Sequence, residues 1–150
     1  MLLDANILLD GFNEASSRHT AARALLSDIF SGTTRVALPW QTLGAFVRIS
    51  TNPRAFARPL TGSEAWGYVE QWLGRSVAWI PPATELTAAV YGKLSSQLNV
   101  TANLVPDAML AALAIEHGQE LWTADSDFAR FPGLTWRDPL ADVQRRHQPT

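Results

Sequence analysis

The sequence contains no cysteine, and Lys93 is its single lysine. Without cysteine the chain forms no disulfide and offers no thiolate to a metal, which is compatible with a reducing compartment. The remaining cationic side chains are arginines, which suit two-point contacts with phosphate, although a GC-rich genome produces the same bias. The formal net charge of −2 argues against a generally basic surface for non-specific nucleic-acid binding. Any nucleic acid would have to be held by a local patch or through a metal ion.

Long apolar runs are also absent. The longest, around Met109–Ile115, is far shorter than the ~20 residues that cross a bilayer. No basic segment opens the chain, and Asp4 and Asp10 interrupt its first apolar residues, unlike a signal peptide. These features predict a soluble, cytoplasmic protein that does not associate with membranes.

Several common catalytic motifs are missing. The sequence has no Gly-x-x-x-x-Gly-Lys-Ser/Thr loop, no Gly-x-Gly-x-x-Gly turn and no Gly-x-Ser-x-Gly elbow. Its three histidines do not have the His-x-x-x-His spacing of a helical metal site. The sequence therefore gives no motif support for a nucleotide-binding or serine-hydrolase function.

Short apolar runs alternate with amphipathic helices, a pattern typical of a parallel sheet covered on both faces. Strands are predicted at residues 1–3, 35–38, 77–80, 120–123 and 135–136. Helices are predicted at residues 18–30, capped by Ser16 or Ser17, and at 41–50, 61–73, 84–98 and 106–117. The 150 residues, 47% of them hydrophobic, suffice for one domain. We expect an α/β domain over residues 1–140 and a polar, disordered tail over residues 141–150.

Four aspartates stand where a metal-dependent nuclease would carry its acids: Asp4, Asp107, Asp125 and Asp127. Asp4 and Asp125 follow strand-like runs, at the sheet edge where open parallel sheets bind ligands. Asp107 lies in the first turn of a helix, where the dipole favours an anion. Clustered carboxylates raise one another's pKa unless a cation joins them. Their oxygens suit Mg²⁺ or Mn²⁺, and the expected reaction is attack of a metal-activated water on a phosphodiester.

These residues also have structural interpretations. Asp107 is equally compatible with a residue that only complements the helix dipole. Asp125 and Asp127 could form side-chain turns to nearby backbone N–H groups. Asn6 and Thr123 could orient the acids, or only complete a turn and fill a strand. Asp4 is the hardest to explain in this way, since a carboxylate that ends a buried strand is costly without a partner.

Three motifs, taken in order, resemble the PIN domain and more narrowly the VapC toxins of bacterial type II toxin–antitoxin pairs. They are LLDANIL at residues 2–8, VPDAMLAALAIEHG at 105–118 and LWTADSDFARF at 121–131. The resemblance runs from residue 1 to about 140 and includes LPW at 38–40 and FVRISTNPR at 46–54. It implies a PIN-like three-layer α/β/α sandwich with a short central parallel sheet.

The resemblance also implies an endoribonuclease that depends on Mg²⁺ or Mn²⁺ and cuts structured RNA such as tRNA or ribosomal RNA. Proteins of this kind are usually homodimers, silenced by a cognate VapB-like antitoxin. Matched by position, the catalytic and metal-binding acids are Asp4, Asp107 and Asp125, with Asp127 as an additional metal-site or outer acid. The polar positions beside these acids are Asn6 and Thr123.

One departure from the family pattern concerns the helix after the second strand. Many PIN domains carry a glutamate there, whereas this chain has LGAFVR at residues 43–48, with Ala45 at the corresponding position. The site could then hold its cation more weakly, or place water where the carboxylate would be. It could also recruit Asp10 or Glu14 from a nearby loop.

Three arginines on or just after the same helix are candidate RNA-binding residues: Arg48, Arg54 and Arg58. A local basic cluster could hold phosphates even in an acidic chain. The alternative, equally compatible with the sequence, is that they are solvated or pair with acidic groups of the antitoxin.

Three functions remain open from the sequence. The first is the ribonuclease toxin. The second is a catalytically weakened PIN domain that binds RNA or antitoxin without turnover, as the missing glutamate suggests. The third is a metal-dependent DNA nuclease or phosphatase on the same scaffold.

Overall fold

A computed structural model describes residues 1–141 of the chain. The strands are β1 (Leu2–Leu3), β2 (Val36–Ala37), β3 (Ala78–Trp79), β4 (Leu121–Trp122) and β5 (Trp136–Arg137). The helices are α1 (Ala5–Phe12), α2 (His19–Ser31), α3 (Trp40–Ser50), α4 (Gly62–Leu73), α5 (Glu85–Gln97) and α6 (Leu104–Glu116), with a 3₁₀ turn at Ser126–Arg130. Apart from Ala141, the predicted polar tail lies outside the described residues.

The five strands form one parallel sheet in the order β3-β2-β1-β4-β5. Neighbouring residues of a strand point to opposite faces of the sheet. Leu2 and Leu121 therefore pack on the face that α5 and α6 cover, whereas Leu3 and Trp122 pack on the face of α1 to α4. The predicted three-layer α/β/α sandwich with a short parallel sheet is confirmed.

The sequence analysis missed helix α1, which begins directly after the first strand. Asp4 Oδ1 accepts the N–H of Ala5 at 2.7 Å and so caps this helix. Ile7 and Leu8 are fully buried beneath it. The run is only 8 residues long, which is shorter than the window of roughly 11 residues over which a helical period can be read from sequence.

The predicted serine cap of the next helix is wrong. Helix α2 begins at His19, and its N-cap residue, Arg18, makes no side-chain capping bond. Ser16 instead donates to Asp10 at 2.8 Å and accepts the N–H of Arg18 at 3.1 Å. The capping box before α4 is present as predicted, because Thr61 and Glu64 exchange two bonds of 3.1 Å.

Helix α3 is held in a defined rotation about its axis. Phe46 is fully buried and packs edge-on against the rings of Phe12, Tyr68 and Trp72. Thr42, also buried, donates from Oγ1 to the carbonyl of Leu3 at 2.7 Å. These contacts decide which side chains of α3 face the carboxyl edge of the sheet.

Within residues 1–141 we find no helix with the length and apolar character that a membrane span requires.

Candidate active site

The two central strands bring distant parts of the chain together at one edge of the sheet. Leu3 of β1 pairs with Trp122 of β4, and the N–H of Asp4 donates to the carbonyl of Trp122 at 3.0 Å. Asp4 and Thr123, which follow these strands, are therefore neighbours. This is the edge at which open parallel sheets bind ligands.

The carboxylate of Asp4 is held by three donors. Its Oδ1 accepts the N–H of Ala5, while its Oδ2 accepts Thr123 Oγ1–H at 2.8 Å and Asn6 Nδ2–H at 3.1 Å. The three bonds fix the plane of the carboxylate before any ligand arrives. Such preorganisation is expected of a group that must present an oxygen in one direction.

Asn6 and Thr123 are themselves fully engaged. The side-chain carbonyl of Asn6 accepts the N–H of Ala124 at 3.1 Å, which fixes the amide so that its NH₂ faces Asp4 and Thr123. Thr123 Oγ1 accepts from Asn6 at 2.9 Å and from the N–H of Asp125 at 3.1 Å. With both lone pairs used, the hydroxyl has its proton left for Asp4. Both residues therefore touch and orient the acid.

Asp107 reaches the same cavity from the first turn of α6, as the sequence predicted. The cavity has a volume of about 280 Å³. Its polar and charged lining residues are Asp4, Asn6, Gln41, Thr42, Arg48 and Asp107. Leu9, Ala45, Ile49 and Leu110 are among its apolar lining residues. The site is thus an acidic hollow with a partly apolar wall.

The other two aspartates occupy a turn beside this cavity. Asp125 Oδ1 accepts the N–H of Asp127 at 2.9 Å and caps the 3₁₀ turn, as the structural interpretation proposed. Asp125 still lies close enough for its charge to act on Asp4 and Asp107. Asp127 is exposed, with an oxygen 3.8 Å from a guanidinium nitrogen of Arg130. Of the four acids, only Asp4 and Asp107 line the cavity.

Burial and mutual repulsion perturb both lining acids. Burial raises the pKa of Asp4, and the charge of Asp125 adds to this, while the hydrogen bonds from Thr123, Ala5 and Asn6 oppose it. Burial also raises the pKa of Asp107, and the charges of Asp125, Asp4 and Asp127 raise it further. Ionised together without a counter-charge, these acids are electrostatically strained.

The donor set fits a hard divalent cation. Every candidate ligand is a carboxylate or amide oxygen, the type that Mg²⁺ and Mn²⁺ prefer. Among residues 1–141, no three acidic or histidine side chains already stand close enough to form a ready-made cage. Mg²⁺ does not need one, because it commonly keeps several waters and binds one or two carboxylates together with substrate phosphate. Asp4 and Asp107 are the residues that would hold it.

Helix α3 supplies the wall where the family pattern leads one to expect an acid. Ala45 lines the cavity, so a glutamate at this position would have placed its carboxylate in the site, and the alanine leaves the site without it. Gln41, one turn earlier, lines it as well and was not singled out from the sequence. Its spacing of four residues from Ala45 is the signal that could have identified it.

The three candidate arginines separate in space. Arg48 lines the cavity, whereas Arg54 and Arg58 lie in the loop after α3 and are not among the lining residues. Asp10, considered as a substitute acid, is bound by Ser16 and lies 3.3 Å from Nε of Arg18. Glu14 is exposed and also lies away from the cavity lining.

Comparisons with known proteins agree with this geometry. The PIN domain family matches residues 1–134. Ribonuclease VapC37 of Mycobacterium tuberculosis is 39% identical over 140 residues, which cover 93% of this chain and 97% of that protein. Ribonuclease VapC33 of the same species is 34% identical over 139 residues, with coverage of 93% and 97%.

Solved structures resemble the fold. VapBC-1 of nontypeable Haemophilus influenzae superposes with a TM-score of 0.66 at 18% identity, over 91% of this chain and 96% of that chain. VapBC2 of Rickettsia felis, bound to a promoter DNA fragment, gives 0.64 at 20% identity with the same coverage. The match over residues 1–134, together with relatives more than 30% identical over nearly the whole chain, shows that the protein belongs to the PIN-domain family, among the VapC proteins.

Proposed function

We propose that the protein is the ribonuclease toxin of a type II toxin–antitoxin pair, and that it hydrolyses RNA phosphodiester bonds with Mg²⁺ or Mn²⁺. The observation that carries the proposal is the Asp4 carboxylate, held by three donors in the wall of a cavity that it shares with Asp107. Relatives that are 34% and 39% identical are named ribonucleases. When bound, the cation would lower the pKa of water and offset charge at the phosphorus.

The protein's own residues have distinct tasks in this proposal. Asp4 and Asp107 would hold the cation, and Asn6 and Thr123 keep Asp4 oriented. The N–H of Asp125 donates to Thr123 and so holds the segment after β4 against the site. Its carboxylate adds negative charge. Asp127 is a supporting acid at the rim.

A VapB-like antitoxin and a second copy of the chain complete the proposed assembly. Two of the matching structures are VapBC complexes, which supports an antitoxin partner by analogy of fold. The partner would be encoded beside this chain as a small DNA-binding protein. Co-expression of that neighbour should suppress toxicity, and light scattering of the free toxin should give twice the chain mass.

The ribonuclease proposal has a direct test. Purified protein should cleave single-stranded RNA or tRNA with Mg²⁺ or Mn²⁺ and stop in EDTA. Asp4→Asn should lower the rate by at least about 10²-fold, because it removes the charge and one acceptor from the site. Single-stranded DNA and a phosphate monoester run beside RNA would detect the DNA nuclease or phosphatase alternative. Wild type and Asp4→Asn that arrest growth equally on expression would refute the proposal.

Cation binding should also show in stability. At about ten times the dissociation constant, Mn²⁺ should stabilise the folded state by about 1.4 kcal/mol. For a chain of this size that raises Tm by about 3–6 °C in a thermal scan. Asp4→Asn should show no such rise. An equal rise in both proteins would mean that the cation binds elsewhere.

The second candidate function, a weakened PIN domain that binds without turnover, is favoured by Ala45. Ala45→Glu restores the carboxylate in the cavity wall and should raise Mn²⁺ affinity about tenfold by isothermal titration calorimetry. The same variant should unfold at a lower temperature than wild type in EDTA, because another acid joins the repulsion. Ala89→Glu, the same change at an exposed position of α5, is the matched control and should alter neither quantity by as much. If Ala45→Glu cleaves RNA and the wild-type protein does not, the weakened-domain function is correct for the natural chain.

A further inference from the structure

We propose that Arg48 binds a phosphate of the RNA backbone at the cavity, and that α3 thereby contributes a cation where it lacks a carboxylate. The proposal rests on the proposed function and assigns the substrate contact to one of the three candidate arginines. Arg54 and Arg58 are not assigned this contact.

The position of Arg48 follows from helical spacing. Gln41, Ala45 and Arg48 are separated by four and three residues, so they share one face of α3. All three line the cavity together with Asp4 and Asp107. Phe46, buried on the other side of the helix, prevents α3 from turning this face away. Arg48 is therefore held at the cavity wall by a rigid element.

The bonding state of Arg48 leaves it available for a ligand. Within residues 1–141 its side chain makes no ion pair and no hydrogen bond, although two carboxylates line the same cavity. By contrast, Arg18 is bound by Asp10 and Asp138, and Arg137 lies 2.8 Å from Glu120. A guanidinium has five N–H donors in a planar fork that matches two phosphate oxygens.

Charge favours phosphate over an acidic side chain of the protein itself. Asp4 and Asp107, when ionised, outnumber the single positive charge of Arg48 among the lining residues. With one divalent cation held by Asp4 and Asp107, this balance would reverse and the cavity would attract a phosphodiester. A glutamate at position 45 in place of alanine would cancel that gain. Arg48 and Ala45 thus both make the net charge of the cavity less negative, so one divalent cation would be enough for the site to accept RNA.

RNA binding is measured in Asp107→Asn protein, which should not cleave. In this variant Asp4 and Arg48 are the charged lining residues that remain and their charges balance, so RNA can approach without a divalent cation. The dissociation constant of a fluorescein-labelled single-stranded RNA is followed by anisotropy from low to moderate salt. Adding Arg48→Ala should weaken binding about tenfold and reduce the salt slope by about 0.7, the value for one phosphate contact on a single strand. Arg48→Lys should recover part of the affinity, because it restores a point charge without the fork. Arg23→Ala, an exposed arginine on α2, is the matched control and should change neither quantity.

The outcomes separate this inference from the proposed function. In otherwise wild-type protein, Arg48→Ala should raise KM for RNA while Mn²⁺ affinity stays the same or rises and Tm with Mn²⁺ is unchanged, which damage to the site would not do. Unchanged RNA affinity and salt slope would overturn the inference even if the protein cleaves RNA. A wild type that never cleaves but binds RNA through Arg48 would overturn the proposed function and leave the inference standing. If Arg48→Ala weakens only antitoxin binding, Arg48 contacts the antitoxin and not RNA.

Discussion

Replacement of Asp107 by asparagine is expected to abolish RNA cleavage and at the same time to stabilise the cation-free protein at neutral pH. Asp107 lines the cavity together with the hydrogen-bonded Asp4, and among residues 1–141 its own side chain makes no hydrogen bond or ion pair. The substitution keeps the size of the side chain and breaks no network. Loss of a charged group at the centre of the site should lower the rate by about 10²–10³-fold.

The gain in stability follows from the direction of the pKa shift. Burial and the neighbouring acids raise the pKa of Asp107 in the folded protein. The native state therefore holds this proton to higher pH than the unfolded chain, and stability falls as the pH rises from about 4 through the folded pKa. The amide that replaces the carboxyl group does not ionise, so the variant avoids this loss. Because Asp107 is only half-buried, solvent screening keeps the gain below about 1 kcal/mol, or a Tm rise of about 1–3 °C.

Thermal unfolding from pH 4 to pH 8 without divalent cations checks the prediction. The Tm difference between Asp107→Asn and wild type should be near zero at the acid end and grow towards neutrality. Added Mn²⁺ should reverse the order, since only wild type gains from it. Asp28→Asn, on the exposed face of α2, should leave the dependence of Tm on pH unchanged, both without and with Mn²⁺. A variant that is less stable than wild type at every pH would contradict the electrostatic account, and retained cleavage would remove Asp107 from the site.

Thr123→Val is expected to reduce cleavage by about 10–100-fold without touching any proposed ligand atom. Thr123 is fully buried, and its hydroxyl donates to Asp4 and accepts from Asn6 and the N–H of Asp125. Valine has the same shape but no hydroxyl. It leaves the side-chain amide of Asn6 and the N–H of Asp125 without an acceptor, and it removes one of the donors to Asp4. The cost in stability should be about 1–3 kcal/mol.

Thr123→Ser keeps the hydroxyl and is the matched control, which should retain most of the activity. The decisive readout is Mn²⁺ affinity, which should fall in Thr123→Val and persist in Thr123→Ser. If valine costs stability but leaves Mn²⁺ affinity and the rate intact, Thr123 only fills the end of the strand.

Local and periodic signals in the sequence were enough for the fold class and for two of the acids. Alternating short apolar runs and helices indicated the parallel sheet, because each run carries its own period and its own boundaries. Asp4 could be placed at the end of β1, and Asp107 in the first turn of α6, from immediate neighbours alone. Helix α1 was missed because its 8 residues form only about two turns, too few for a helical period to be read from the sequence.

The working geometry of the site was decided only by tertiary structure. Asn6 and Thr123 are 117 residues apart, and their bond exists because β1 and β4 are paired in one register. The rotation of α3 depends on the aromatic packing of Phe46, and this rotation alone places Ala45 and Arg48 in the cavity. A linear pattern shows which residue types are present and how they are spaced along one element. Which faces of two elements meet depends on long-range packing of the whole core, and that packing joined these residues into one site.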